Sequence, residues 1–143
     1  MNPRLTHLAL HVEDLDACID FYRRYCCMNI VHQRQGGSKR IVWLSEDGRE
    51  QDFVFVVMGG GKTLSLPKQD YRHFGFAVES RQRVDELARL AELDNCLLWA
   101  PREEPFPVGY YCGLLDPAGN QVEFSFGQPL GPGAESLADV GKR

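Results

Sequence analysis

Two histidines occupy matching places in this chain. His7 opens the stretch His7-Leu8-Ala9-Leu10-His11-Val12-Glu13, and His73 opens His73-Phe74-Gly75-Phe76-Ala77-Val78-Glu79. Both read His, apolar, small, apolar, variable, Val, Glu, at an offset of 73 − 7 = 66 residues. A carboxylate, Glu123, stands in a third short apolar-alternating stretch, Gln121 to Phe126. Two imidazoles and one carboxylate that leave coordination positions open suit one divalent ion of Fe, Mn, Zn, Ni or Co. A substrate bound there through two oxygens would be polarised by a Lewis acid. His11 shares the spacing but has Ala77 as its counterpart, and His32 has none, so both read as exposed or hydrogen-bonded side chains.

The elements that must position these residues follow from the same repeat. Asp14 pairs with Ser80, both good helix N-caps. Cys18, Phe21 and Tyr25 pair with Val84, Leu87 and Ala91, and their helical spacing gives each segment an apolar stripe. Each half therefore opens with a strand that runs into a capped amphipathic helix. Short strands follow: Asn29 to Arg34, Arg40 to Ser45 and Asp52 to Met58 in the first half, and Cys96 to Ala100, Tyr110 to Leu115 and Gln121 to Phe126 in the second. Gly36-Gly37, Asp47-Gly48, a Pro-rich loop Pro101 to Val108 and Asp116-Pro117-Ala118-Gly119-Asn120 separate them. The expectation is an α+β fold of paired βαβββ modules: 1–58, a linker 59–70, 71–127, and a Gly/Pro-containing tail 128–143 with little fixed structure.

Strand parity decides which side chains meet. Leu8, Leu10 and Val12 form the face that packs on a helix, so His7, Ala9 and His11 point the other way. By the same alternation Phe74, Phe76 and Val78 pack, while His73, Gly75 and Ala77 face away. Val122, Phe124 and Phe126 pack, which leaves Glu123 and Ser125 opposite. His7, His73 and Glu123 thus lie on helix-free faces among small residues that leave space.

Composition narrows the partners. The 143 residues carry a net charge of −4, with no basic face or tail, which argues against nucleic acid or an anionic membrane. No apolar run approaches the length of a membrane span, and the N-terminal stretch has no secretory core, so a soluble, cytoplasmic protein with a small-molecule substrate is expected. Five cysteines without framework spacing read as reduced thiols. Gly59-Gly60-Gly61-Lys62-Thr63 mimics the end of a phosphate loop, but Val56 takes the first glycine's place and no helix follows. Arg102-Glu103-Glu104 reads as a charged, solvent-facing loop.

At these residues the chain resembles the vicinal oxygen chelate superfamily, which includes glyoxalase I, extradiol dioxygenases, fosfomycin-resistance proteins and bleomycin-binding proteins. The matching stretches are Thr6 to Asp16 with Phe21-Tyr22, Tyr71 to Val78, and Leu115 to Phe126, and the resemblance covers roughly residues 4 to 127. The resemblance implies a curved, cup-like sheet with helices outside, often completed across a homodimer, and places His7, His73 and Glu123 at metal-ligand positions. Glyoxalase I-like members also carry a ligand on the last strand of the first module. Aligning Gly48 with Gly119 sets Asp52 there, whereas a shift of two sets Val54 there and leaves three protein ligands. Extradiol and fosfomycin enzymes place a Tyr where this chain has Gly113; Tyr111, two residues earlier on the same face, is the candidate to bond a substrate oxygen. The resemblance implies glyoxalase-like lyase or isomerase chemistry with Glu123 as ligand and base. The alternatives are ring-cleaving dioxygenation, thiol or water addition to an epoxide antibiotic, drug binding without turnover as in bleomycin resistance, and a structural site. Bleomycin-binding members generally lack the ligands, so the intact His/His/Glu set counts against that alternative.

Overall fold

The structure is a computed structural model that describes residues 1–37, 39–132 and 134. The expected tail 128–143 thus lies largely outside the described residues. The chain divides into two compact units, one from Met1 to Ser65 and one from Leu66 onward.

The first unit runs β1 (His7–Val12), α1 (Leu15–Cys26), β2 (Asn29–Gly36), β3 (Lys39–Ser45) and β4 (Val54–Gly59). The second runs β5 (Phe74–Ala77), α2 (Arg81–Leu93), β6 (Leu97–Glu104), β7 (Gly109–Leu115) and β8 (Gln121–Phe126). Each is therefore a βαβββ module, and each sheet is mixed. The strand orders are β1-β4-β3-β2 and β5-β8-β7-β6, with the first pair parallel and the others antiparallel.

Helix capping explains why each strand turns into a helix. The carboxylate of Asp14 accepts from Ala17 N at 3.0 Å, and the hydroxyl of Ser80 accepts from Arg83 N at 3.1 Å. The apolar stripes then bury as their spacing predicts: Cys18, Phe21 and Tyr25 in α1, and Val84, Leu87 and Ala91 in α2. α2 packs on β6, β7 and β8. On β1, Leu10 and Val12 are buried and His7, Ala9 and His11 exposed, so the predicted alternation appears directly.

Two departures from the sequence expectations matter for the site. β6 does not stop at Ala100 but continues through Pro101 to Glu104, and the loop shrinks to residues 105–108. Pro101 is tolerated because β6 is an edge strand, and the ladder is irregular between Trp99 and Arg102. β4 begins at Val54 rather than Asp52, because two successive turns occupy the approach: Arg49 N bonds Glu46 O, and Asp52 N bonds Arg49 O. The glycine-rich Gly59 to Thr63 leads into no helix; Gly61 N bonds Val12 O, and a Cβ at Gly61 would lie 2.4 Å from His11 O.

Candidate metal centre

Glu123 is delivered by the turn before β8. The Asp116 carboxylate accepts from Ala118 N at 2.9 Å, from Asn120 N at 2.8 Å and from Asn120 Nδ2 at 2.9 Å. Those bonds lock the Asp-Pro-Ala-Gly-Asn loop and fix where β8 starts. The parallel ladder then sets Gly75 beside Glu123. A Cβ on Gly75 would stand 3.3 Å from Glu123 Oε2, so the glycine leaves room for the carboxylate.

His73 precedes β5 on the same face. Its Nδ1 is 2.7 Å from the carbonyl oxygen of Tyr71, and that carbonyl can only accept. Nδ1 therefore donates, and in the neutral ring the lone pair is on Nε2. Nε2 stands 3.7 Å from Glu123 Oε1, with the His73 side chain 37% exposed and that of Glu123 10%. A hydrogen bond from the second ring nitrogen to a carbonyl is the usual support of a metal-ligating His. Two donors bound to one ion at about 2.1 Å each lie roughly 3.0–3.5 Å apart, so the pair needs little closure to share one. The donor set fits a divalent cation.

The electrostatics of Glu123 agree. Burial pushes its carboxyl pKa up, opposed by the nearby His73 and by a hydrogen bond from Gln128. A desolvated carboxylate with incomplete compensation is where an added cation gains most. Trp99 closes the other side: its ring meets His73 edge-on at 5.8 Å and crosses Gly113, where a Cβ would lie 2.2 Å from Trp99 Cε3. Gly113 pairs with both Trp99 and Glu123 across the ladders, so the indole occupies the place a side chain at 113 would take.

Tyr111 is buried on this same face, opposite Ser125. Its phenol oxygen accepts from Arg102 Nε at 2.6 Å. Tyr110 lies on the other face, as parity predicts, and donates to Asp85.

In the first unit His7 is exposed, with Nδ1 3.1 Å from Thr6 Oγ1. Beside it is a cavity of about 260 Å³ bordered by Trp43, Asp52, Val54 and Val56. Asp52 is exposed in the turn before β4. Leu8 pairs with Phe55 and Ala9 with Val56, whereas Phe74 pairs with Val122 and Gly75 with Glu123. The position in β4 equivalent to Glu123 is therefore Val56, neither Asp52 nor Val54. Aligning the two turn glycines misses this because residues 46–53 join β3 to β4 while only 116–120 join β7 to β8. Among the described residues of either unit, no three His, Cys, Asp or Glu side chains converge; His73 and Glu123 are the pair brought together. Sequence reasoning missed Trp99, Arg102 and Gln128. Extension of β6 past a proline was the only available signal for Arg102, whereas Trp99 already lay in the expected strand Cys96 to Ala100.

Comparison with known proteins places this architecture. Residues 4–124 match the model of the Glyoxalase/Bleomycin resistance protein/Dioxygenase superfamily. The chain is similar to the uncharacterized protein PA2024 of Pseudomonas aeruginosa, 64% identical over 137 residues, covering 96% of this chain and 98% of that one. Its fold is similar to trypanothione-dependent glyoxalase I of Leishmania major, with TM-score 0.68, 19% identity, and 99% and 94% of the two chains covered. It is also similar to a variant of the fosfomycin resistance protein FosX of Listeria monocytogenes, solved with Mn(II) and 1S,2S-dihydroxypropylphosphonic acid. There the TM-score is 0.72 and identity 18%, over all of both chains. No described helix is long and apolar enough to cross a membrane.

Proposed function

The chain belongs to the Glyoxalase/Bleomycin resistance protein/Dioxygenase superfamily, and from that premise we propose that it is a metal-dependent small-molecule enzyme with glyoxalase-like lyase or isomerase chemistry. His7, His73 and Glu123 hold one divalent cation, with Asp52 as an auxiliary donor beside His7. The set is completed within a homodimer, in the cytoplasm. When bound, the cation supplies Lewis acidity toward a substrate that chelates through two neighbouring oxygens. The observation that carries this reading is the His73–Glu123 pair, with Nδ1 tied to Tyr71 O and Nε2 turned to the carboxylate. The Mn(II) in the Listeria FosX variant supports the class of cation.

The chain's own residues do the rest. Glu123 Oε1 or Oε2 takes a proton from the substrate and returns it, a task suited to a carboxyl whose burial makes it more basic. Gln128 beside that carboxylate favours its ionised form. The O–H of Tyr111 is available to a substrate oxygen, because its bond to Arg102 uses the oxygen lone pair. Trp99 keeps water from one side of His73. The indole over Gly113 leaves no Tyr at that position, which ranks ring-cleaving dioxygenation and epoxide-antibiotic chemistry below isomerisation.

The test is turnover of methylglyoxal–thiol adducts, with catechols in parallel, by protein loaded with Mn(II), Ni(II), Zn(II), Co(II) or Fe(II). Chelator-sensitive turnover of the adducts that His73→Ala abolishes supports the reading. Tight metal binding with neither activity would leave a binding protein in its place.

A further inference from the structure

We propose that Arg102, held by Tyr111, binds an anionic group of the substrate, so that the substrate class is one bearing a carboxylate or a phosphonate. The proposal rests on the preceding reading only for where the rest of the substrate lies.

The other arginines that form ion pairs among the described residues have close carboxylate partners. Arg40 bonds Asp16 at 2.6 Å, Arg49 bonds Glu46 at 2.6 Å, Arg72 bonds Asp70 at 2.7 Å and Arg81 bonds Glu103 at 2.9 Å. Arg83 reaches Glu86 at 3.3 Å. Arg102 differs. Its Nε donates to the neutral Tyr111 oxygen at 2.6 Å, and Glu104 Oε1 stands 3.5 Å from that same Nε, beyond good hydrogen-bond distance. Its terminal nitrogens bond no described residue, and the side chain is 65% exposed. A guanidinium whose two terminal nitrogens bond no described residue presents the fork that carboxylates and phosphonates fit.

Placement ties that fork to the site. Arg102 pairs with Tyr111, Tyr111 with Ser125, and Glu123 lies two residues earlier on β8, so all share the open face of the second sheet. Two residues along a strand amount to about 7 Å, the length of a small substrate. Tyr111 is 6% exposed, so the phenol is a fixed post. Tethering Nε to it removes rotamer freedom before any ligand arrives, which lowers the entropic cost of binding. The ladder irregularity after Trp99 is what turns Arg102 onto this face.

The experiment is calorimetric titration of methylphosphonate and, separately, acetate into the full-length protein, with and without bound Mn(II). The two probes distinguish a phosphonate from a carboxylate preference. Wild type should bind at least one of them at millimolar concentration. Arg102→Gln should weaken that binding by about tenfold, Arg102→Lys by less because it keeps charge without the fork, and Tyr111→Phe by a few-fold. Anion binding lost in Arg102→Gln in a protein that takes up no Mn(II) still supports the subsite while removing the metal reading. Mn(II) uptake with anion affinity equal in wild type and Arg102→Gln, or no anion binding by wild type, overturns the subsite.

Discussion

Nε2 of His73 and Oε1 of Glu123 stand 3.7 Å apart, on residues whose backbones are fixed by different devices. One end is set by the Tyr71 carbonyl, which holds the imidazole tautomer; the other by the Asp116 turn, which fixes the start of β8. The gap suits a shared cation better than a direct hydrogen bond.

Removing the charge at Glu123 should separate its two roles. Burial raises its folded-state pKa, so as pH rises from the acid side the unfolded chain ionises first and stability falls. The loss is complete once pH passes the raised folded value, and it is absent below the ordinary carboxylate pKa. Metal-free Glu123→Gln should therefore melt a few degrees above wild type at neutral pH and match it in acid. The same variant should lose metal uptake. Thermal melts across pH check the first expectation; equal melting temperatures at every pH would contradict it.

Gly113→Ala should destabilise the protein by about 1–3 kcal/mol, because the new Cβ falls within 2.2 Å of Trp99 Cε3 and the rigid indole cannot bend away. Trp99→Ala should remove most of that penalty. A double-mutant cycle by denaturant unfolding measures the coupling, and additive effects would show that the two positions do not meet.

Metal affinity should respond unequally to the two candidates in the first unit. His7→Ala should abolish tight binding, while Asp52→Asn, in an exposed turn before β4, should cost less than about tenfold. Titration of Mn(II) by electron paramagnetic resonance reads both. A larger loss in Asp52→Asn than in His7→Ala would reverse their ranking.

The cysteines should react in order of exposure. Burial, with Asp85 and Glu123 adding negative charge, pushes the Cys112 thiol pKa up to about 12. A thiol reagent at mildly alkaline pH should modify the exposed Cys27 first and leave Cys18 and Cys112 untouched until denaturant is added. Peptide mass spectrometry identifies the labelled sites.

The repeat made the two modules, both N-caps and the strand parities legible, because each depends on residues near in sequence. The parity that turns His73 and Glu123 to one face was legible for that reason too, whereas the place of Glu123 in a ligand set came from the family resemblance. The β4 register was not, since the extra turn between Glu46 and Phe53 separates the glycine from the strand it introduces. Nor was the cover on Gly113, because Trp99 reaches it from a neighbouring strand. Arg102 read as loop because prolines usually end strands, whereas an edge strand needs no hydrogen bond on its outer side.

The proposed site gathers His7, His73 and Glu123 round one divalent cation. The most direct measurement is elemental analysis of chelator-stripped protein reloaded with Mn(II), Ni(II), Zn(II), Co(II) or Fe(II) in turn, with thermal melting of each sample. Wild type should retain about one equivalent per chain and, at a metal concentration one hundred times Kd, gain about 2.7 kcal/mol of stability that His73→Ala lacks. Wild-type protein that retains none of these metals and melts at the same temperature with and without them would contradict it.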